Sequence, residues 1–320
     1  MSGEELRERI LGILEERRGY VSGEEIASLL GITRSAVWKH VRALAAEGAE
    51  IQAGSRGYRL IRPPDRLLRY RILAGLRTER FGRELHLHAL VDSTNELAKH
   101  LARAGAPEGT VVCAERQSAG RGRMGRSWHS PPGGLWFSLV LRPLMPLHRI
   151  NLVSLMLGLG VAQVVEEMYA LPAVLKWPND VMVHRRKVCG VLVETEAEPE
   201  AIRFVVAGVG VNANPESLPG ELGGVSLHHL LGRKVDRCEL LAGLLNRFEE
   251  LYGVLHREPE RVLEMYSERC STLGRRVRIE GLGESITGTA LSLGEDGSLL
   301  VETPQGVRRV SSGMCVHLRH

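Results

Sequence analysis

The sequence predicts an α+β protein of three domains: a helical domain closed by a hairpin over residues 1–62, a mixed α/β domain over 63–272, and a small β domain over 273–320. Three observations point to that order. Apolar residues recur at helical spacing through the first fifty positions. Strand-like runs then alternate with helices, one of them almost wholly apolar. Past Arg275 only short alternating runs remain, separated by glycine turns. A chain of 320 residues also exceeds the size that one core usually serves.

Leu6, Ile10, Ile13 and Leu14 open the first helix. Ser22 caps a second carrying Ile26, Leu29 and Leu30, and Gly31-Ile32 makes a tight turn. Thr33 caps a third helix that turns Val37, Val41 and Leu44 inward. Helix, short turn and helix with a basic outer face is the helix-turn-helix pattern, whose second helix enters the major groove. Thr33, Arg34, Ser35, Lys39, His40 and Arg42 are therefore the candidate DNA contacts, since no acid interrupts that helix before Glu47. A small helical protein-interaction domain is the alternative. Glu50–Gln52 and Tyr58–Ile61 alternate about Gly54-Ser55-Arg56-Gly57, which reads as a hairpin wing. Arg62-Pro63-Pro64-Asp65 suits a linker.

In the middle of the chain, strand Leu85–Leu90 leads into Asp92-Ser93-Thr94-Asn95 and a helix over Glu96–Ala104. Asp92 or Ser93 can cap that helix. The Ser93 and Thr94 hydroxyls and the Asn95 amide also suit an uncharged polar head group such as a urea. A strand near Thr110–Ala114 feeds Gln117-Ser118-Ala119-Gly120-Arg121-Gly122-Arg123-Met124-Gly125-Arg126-Ser127-Trp128. Glycine lets N–H groups approach a ligand closely, and guanidinium groups add paired donors for carboxylate or phosphate. A solvated basic loop is the plainer alternative. Strand Leu135–Leu141 and the apolar helix Leu152–Met168 follow. Lys176-Trp177-Pro178-Asn179-Asp180 and Lys187 flank a further hairpin, with Pro178 marking an edge or bulge. Two lysines and an aspartate there suit an anion and metal site, Asp180 being the candidate Mg²⁺ ligand. Gly208-Val209-Gly210-Val211-Asn212 ends a buried strand, without the spacing of a dinucleotide fingerprint, and no P-loop is present. Helices at Leu240–Tyr252 and Pro259–Cys270 precede four strands at Val277–Glu280, Thr287–Leu293, Leu299–Glu302 and Val307–Val310, a small β-barrel.

The remaining composition narrows the class. Hydrophobic content of 43% with 25% charged residues is ordinary for a globular protein, and a net charge of +4 neither demands nor excludes nucleic acid. Five scattered cysteines suit reduced thiols in the cytoplasm. No signal peptide is expected, and the apolar stretch around Leu152–Val165 is too short and polar to span a bilayer.

Taken in order, DSTN (92–95), GRGRMGRSW (120–128), KWPND (176–180), KVCGVLVE (187–194) and GVGVN (208–212) resemble the biotin–protein ligase family over essentially the whole chain. The N-terminal domain resembles the winged helix of its bifunctional bacterial form, which also represses biotin genes. The resemblance implies a central domain of the class II synthetase-like type and an SH3-like C-terminal barrel. It implies a biotin–[acetyl-CoA-carboxylase] ligase that uses ATP and Mg²⁺ to make biotinyl-5′-AMP and transfers biotin to a lysine of biotin carboxyl carrier protein. It also implies a cytoplasmic homodimer that binds operator DNA when loaded with the adenylate. Position by position, Ser93, Thr94, Asn95, Gln117, Gly120, Arg121, Gly122, Arg123, Trp128, Lys187 and Gly190 resemble the biotin site. Arg121, Lys176, Asn179, Asp180 and Asn212 resemble the ATP side, and Lys187, Arg123 and Lys176 the catalytic cations. The glycine–arginine loop is expected to be mobile when empty and ordered when loaded. Some relatives place an aromatic beyond the Gly-x-Gly-x-Asn motif to stack on adenine, and Pro215–Leu231 here contains none. Pro219-Gly220 and Gly223-Gly224 in that segment read as flexible. A lipoate–protein ligase and a catalytically dead sensor remain as rivals.

Overall fold

The computed structural model describes residues 3–198, 201–218, 224–281 and 285–318. Expectations for Pro219-Gly220, for Gly223 and for the turn at Leu282-Gly283 lie outside the described residues. By internal contacts the chain divides into two compact units, Met1–Ala74 with Asp236–Cys238, and Gly75–Val235 with Glu239–His320.

In the first unit, α1 (Gly3–Arg17), α2 (Gly23–Leu30) and α3 (Arg34–Ala46) bury Ile10, Leu11, Leu14, Ile26, Val37, Val41 and Leu44. Leu29, expected inside, is exposed; α2 is short, and its buried stripe is Ile26, Ala27 and Leu30. Ser22 accepts the Glu25 N–H at 3.0 Å and Thr33 accepts the Ala36 N–H at 3.2 Å, so both expected caps form. Gly31 closes α2 at φ 65°, a left-handed turn that suits glycine. Strands β1 (Glu50–Gly54) and β2 (Gly57–Arg62) make the wing. The unit runs past residue 62, because Leu68 is buried, the Tyr70 hydroxyl donates to Glu15 at 2.9 Å, and Arg71 pairs with Glu15 and Asp236. Helix α4 (Arg69–Gly75) within this stretch has no clear periodic signal in the sequence.

The second unit holds a seven-stranded sheet, built from β3 (Leu85–Val91), α5 (Thr94–Arg103), β4 (Val111–Gln117), β5 (Leu135–Leu141), α6 (Asn151–Tyr169), β6 (Ala173–Lys176), β7 (Asp180–Val183), β8 (Arg186–Glu198) and β9 (Ala201–Val211). Its order is β3-β4-β5-β9-β8-β7-β6, with only β3 and β4 parallel. Ala98 and Ala102 of α5 pack on Val112, Val140, Phe204 and Val206, one face of the sheet. The alternate residue Phe137 stacks on Phe248 across the other face. Phe248 belongs to α8 (Arg237–Arg257), which follows α7 (Leu227–Leu231) and precedes α9 (Pro259–Arg269). Helix α6 with its leading turn spans Leu147–Tyr169, 23 residues whose most apolar 18-residue stretch has a mean hydropathy of 1.4, longer than the sequence suggests. Twelve of its residues are buried in this core, which accounts for its apolarity. Pro178 sits in the β6–β7 turn rather than at an edge or bulge; lacking an N–H, it suits a position outside the ladder. The bulge is instead at Val181/Met182.

The same unit includes β10 (Arg276–Glu280), β11 (Ser285–Leu293), β12 (Leu299–Thr303), β13 (Gly306–Val310) and β14 (Met314–His317), an antiparallel sheet of order β13-β12-β11-β10-β14. Its hydrogen bonding is open, with β13 and β14 at the edges. Strand β14 is a fifth strand that the sequence pattern does not reveal. This sheet is fastened to the KWPND turn, where Trp177 Nε1 donates to Gly297 O at 3.1 Å and Trp177 N donates to Thr272 Oγ1 at 3.1 Å.

Candidate functional site

The site begins with two glycines that face each other. Gly190 of β8 pairs with Gly210 of β9, leaving a bare patch of sheet on which the Trp128 indole lies. A Cβ on Gly210 would stand 2.6 Å from Trp128 Nε1, and one on Gly190 3.0 Å from both Trp128 Cζ3 and Lys187 Cε. Two residues before Gly210, a Cβ on Gly208 would fall 2.2 Å from Asn95 Oδ1. The Gly-x-Gly of the GVGVN run thus clears space for two side chains and is no phosphate loop.

At one end lie neutral polar groups. Ser93 stands at the N-cap of α5, but its side chain makes no capping bond, contrary to the capping expectation. Gln117 Oε1 accepts the Thr94 N–H at 2.8 Å, and Gln117 Nε2 donates to Ser130 Oγ at 2.8 Å, which fixes the glutamine amide. Asn95 is buried and its amide is engaged by Ser138, Glu194 and the Leu192 carbonyl. It therefore shapes the wall rather than offering free groups to a ligand.

The glycine–arginine loop folds as a small hairpin. Trp128 N donates to Gly120 O at 2.8 Å and Gly122 N to Arg126 O at 2.7 Å, with Met124 and Gly125 turning through positive φ. A Cβ on Gly120 would meet Trp128 O at 2.4 Å, so the rungs require glycine there. Arg121 is paired with Glu96 of α5, and Glu96 also takes Lys99 at 2.8 Å. The hydrogen bond from Lys99 and the charge of both cations hold the Glu96 carboxyl below its ordinary range. Arg123 points inward to Asn179 Oδ1 at 3.4 Å, and burial pulls its guanidinium down from the ordinary value while Asp180 opposes the shift.

The other end is cationic. Lys187 Nζ lies 2.6 Å from Asp180 Oδ1 and 4.8 Å from the Trp128 ring centre. Asn179 donates to the Val191 carbonyl at 2.8 Å and Asn212 to the Lys187 carbonyl at 3.2 Å, bracing the strand that carries Lys187. Lys176 ends β6, beside Cys315 and His317 of the C-terminal sheet. Burial and the Lys176, Arg275 and Arg185 charges hold His317 down to about 4, and burial pushes the Cys315 thiol up to about 12.

Ser93, Thr94, Asn95, Gln117, Arg121, Gly122, Arg123, Trp128, Lys176, Asn179, Asp180, Lys187, Gly190 and Asn212 all line one cavity of about 310 Å³. Gly120 stands behind it as a loop rung. The cavity carries five cations (Arg121, Arg123, Arg126, Lys176, Lys187) against one carboxylate, Asp180. No cluster of three or more metal-ligating side chains occurs among the described residues. Sequence reasoning misses Ser138, Glu194 and the lining residues Met314 and Cys315, the last two on the unread strand β14. Arg126 Nη1 reaches Met314 Sδ at 3.3 Å. Leu218 lines the cavity where the sequence offers no aromatic.

In the first unit, Thr33, Arg34, Ser35, Lys39 and Arg42 lie exposed along α3, whereas His40 is half-buried beside Gly3. Trp38, which the basic pattern of the helix does not single out, is 53% exposed with the Arg42 guanidinium 4.9 Å from its ring centre.

Comparison with known proteins agrees with this layout. Residues 87–212 match the Biotin/lipoate A/B protein ligase family, residues 6–59 an HTH domain, and residues 272–318 the Biotin protein ligase C terminal domain. The chain is 38% identical over 300 residues to the bifunctional ligase/repressor BirA of Bacillus subtilis (strain 168), covering 92% of each. It is 33% identical over 244 residues to the biotin–[acetyl-CoA-carboxylase] ligase of Mycobacterium tuberculosis, covering 74% of this chain and 90% of that one. The structure of biotin protein ligase from Aquifex aeolicus in complex with biotin and ATP superposes with a TM-score of 0.65 at 33% identity, covering 74% of this chain and 100% of that one. The chain belongs to the biotin–protein ligase family, with the three-part arrangement of its bifunctional ligase/repressor members.

Proposed function

We propose that the cavity joins biotin to ATP, seating the cyclic urea among Ser93, Thr94 and Gln117 and the carboxylate beside Lys187 and Arg123. The observation that carries this reading is the pairing of a neutral polar end with five cations against one carboxylate in a single cavity. A biotin carboxylate and a triphosphate repel each other, and a fixed cation about 4 Å from either offsets roughly 4 kcal/mol in a partly screened site. A carboxylate oxygen attacks the α-phosphorus, pyrophosphate leaves, and biotinyl-5′-AMP forms. A carrier lysine, as the free amine, then attacks the acyl carbon and AMP leaves with the bonding electrons. Lys187 and Arg123 hold the carboxylate and α-phosphate, while Lys176, Asn179, Asp180 and Asn212 form the nucleotide end. Mg²⁺ enters with ATP: one carboxylate is too few for a protein-built cage, but it suits an ion held mainly by phosphates.

The carrier is a biotin carboxyl carrier protein, and the reaction runs in the cytoplasm. The α3 face and the wing bind operator DNA as a homodimer favoured by the adenylate, which demands a two-fold site. Incubation with MgATP, labelled biotin or lipoate, and a carrier domain tests the ligase. Label from biotin alone is expected; lipoate transfer points to the rival ligase, and no transfer points to a dead sensor. For repression, gel shifts on a biotin-gene promoter must tighten with the adenylate; equal affinity with and without it removes the coupling.

A further inference from the structure

The hairpin that joins β7 to β8 turns through two residues poorly suited to it. Val183 pairs with Arg186, so the loop is His184-Arg185 alone. Both residues take positive φ, 48° and 64°. A two-residue turn with both positions left-handed favours Asn-Gly, and a larger side chain there costs stability. Arg185 therefore stands where glycine would fold better, which turns attention to its charge. That charge acts on His317 together with those of Lys176 and Arg275, all of one sign. Among the described residues no carboxylate pairs with Lys176, Arg185 or Arg275. Asp180, opposite Lys176 across β6 and β7, is taken by Lys187.

The backbone beneath these cations is fixed. Thr272 Oγ1 accepts the Trp177 N–H at 3.1 Å and lies 3.0 Å from His317 Nε2, which sets His317 beside the residue that follows Lys176. Thr272 O accepts the Arg275 N–H at 3.2 Å, and Arg275 O accepts the Ala290 N–H at 2.9 Å. Lys176 lines the cavity, whereas Arg185 and Arg275 do not, so they continue its nucleotide end outward as a basic rim. We propose that Arg185 and Arg275, with Lys176, form a pyrophosphate subsite, holding the outer phosphates of the nucleotide and then the leaving group. This rests on the ligase reading above, which puts the nucleotide at this end but gives its outer phosphates no partner. In an in-line displacement the leaving oxygen lies opposite the attacking one, so pyrophosphate departs away from the carboxylate held by Lys187 and Arg123. The electron pair of the broken phosphorus–oxygen bond goes with it, and negative charge grows on the rim side as the new bond forms. A diphosphate offers paired oxygens that match guanidinium forks.

The test is titration of the full chain with magnesium pyrophosphate in a calorimeter, beside steady-state transfer of labelled biotin to a carrier domain over a range of MgATP. Absence of transfer by the parent sinks the ligase reading, whereas pyrophosphate binding is read separately and tests the rim. The parent should bind pyrophosphate, and Arg185→Gly/Arg275→Ala should weaken it about tenfold, the scale of two partly screened charge contacts. KM for MgATP should rise by a similar factor and pyrophosphate should inhibit transfer less, with biotin affinity unchanged. Arg185→Gly alone separates binding from folding. Glycine relieves the left-handed turn, so Tm should not fall while pyrophosphate binding weakens about threefold. Arg185→Lys keeps the charge and should keep most of the affinity. A parent that does not bind pyrophosphate overturns the assignment, as does a folded double variant with parental affinity. Arg185→Lys losing as much as Arg185→Gly overturns it too. A double variant that raises only KM for the carrier assigns the rim to an acidic carrier surface instead, and equally removes the subsite.

Discussion

The bare sheet under Trp128 makes a sharp prediction about adding a single carbon atom. In Gly210→Ala the new methyl would stand 2.6 Å from the indole nitrogen and 2.7 Å from Cε2. An unstrained contact begins near 3.4 Å, so the ring must retreat by 3.4 − 2.6, about 0.8 Å. It cannot slide freely, because the Trp128 backbone N–H is held by the Gly120 carbonyl at 2.8 Å. Overpacking of this kind costs about 1–3 kcal/mol, offset by about 0.4–1 kcal/mol from the stiffer unfolded chain. The displaced indole carries the loop that lines the biotin seat, so KM for biotin should rise about tenfold with a fall in Tm of a few degrees. Gly190→Ala is the control. Its methyl meets the far end of Lys187 at 3.0 Å from Cε and 3.1 Å from Nζ, which can swing away, and only the edge of the indole. That variant should stay within about 1 kcal/mol of the parent's stability and lose rate through the displaced amine. Thermal melts and pyrophosphate-release kinetics on both variants decide the matter. If Gly210→Ala is no more harmful to biotin KM than Gly190→Ala, the indole does not rest on that patch as described.

Three further outcomes are expected. Lys187→Met should slow adenylate formation about a thousandfold, the loss of roughly 4 kcal/mol between a fixed cation and two anions. Trp38→Ala should leave Tm nearly unchanged, since the ring is largely exposed, but weaken operator binding in gel shifts about tenfold through loss of the ring that Arg42 covers. His317 sets an acid limit. Its folded pKa of about 4 lies below the ordinary value of 6.5, so the unfolded chain binds the extra proton first. Stability is full above about 6.5, falls as the pH drops toward 4, and levels off below. In His317→Gln, urea midpoints measured between about pH 7 and pH 4.5 should show a smaller decline than in the parent.

Much of the site is legible in the sequence because its chemistry sits in contiguous motifs. DSTN, GRGRMGRSW and KWPND name nearly half of the cavity wall, and glycines between arginines announce a chain that must turn tightly beside an anion. What escapes has a common cause. Ser138 lies inside an apolar strand with no local signal, and Glu194 closes the KVCGVLVE run without a role the run itself reveals; their meaning comes from α5 crossing over them. Strand β14 goes unread because a run of four residues after Gly313 is too short for an alternation to register, yet it brings Met314 and Cys315 to the cavity. Asn95 reads from the sequence as a ligand contact, but its amide belongs to Glu194 and Ser138, a difference visible only when the partners are in place.

The sequence alone determined the order of helix-turn-helix, mixed α/β and C-terminal β segments and the polar and cationic character of the site, because periodicity, glycine spacing and charge are properties of neighbours along the chain; the family was legible through the resemblance of five motifs in one order. Only the tertiary structure decided which partner each cation takes, that Lys187 rests between Asp180 and Trp128 while Arg121 is held by Glu96. Those depend on segments 20 to 120 residues apart coming together, as Gly190 does with Gly210 across two strands and the Trp177 indole with the Gly297 carbonyl between two turns.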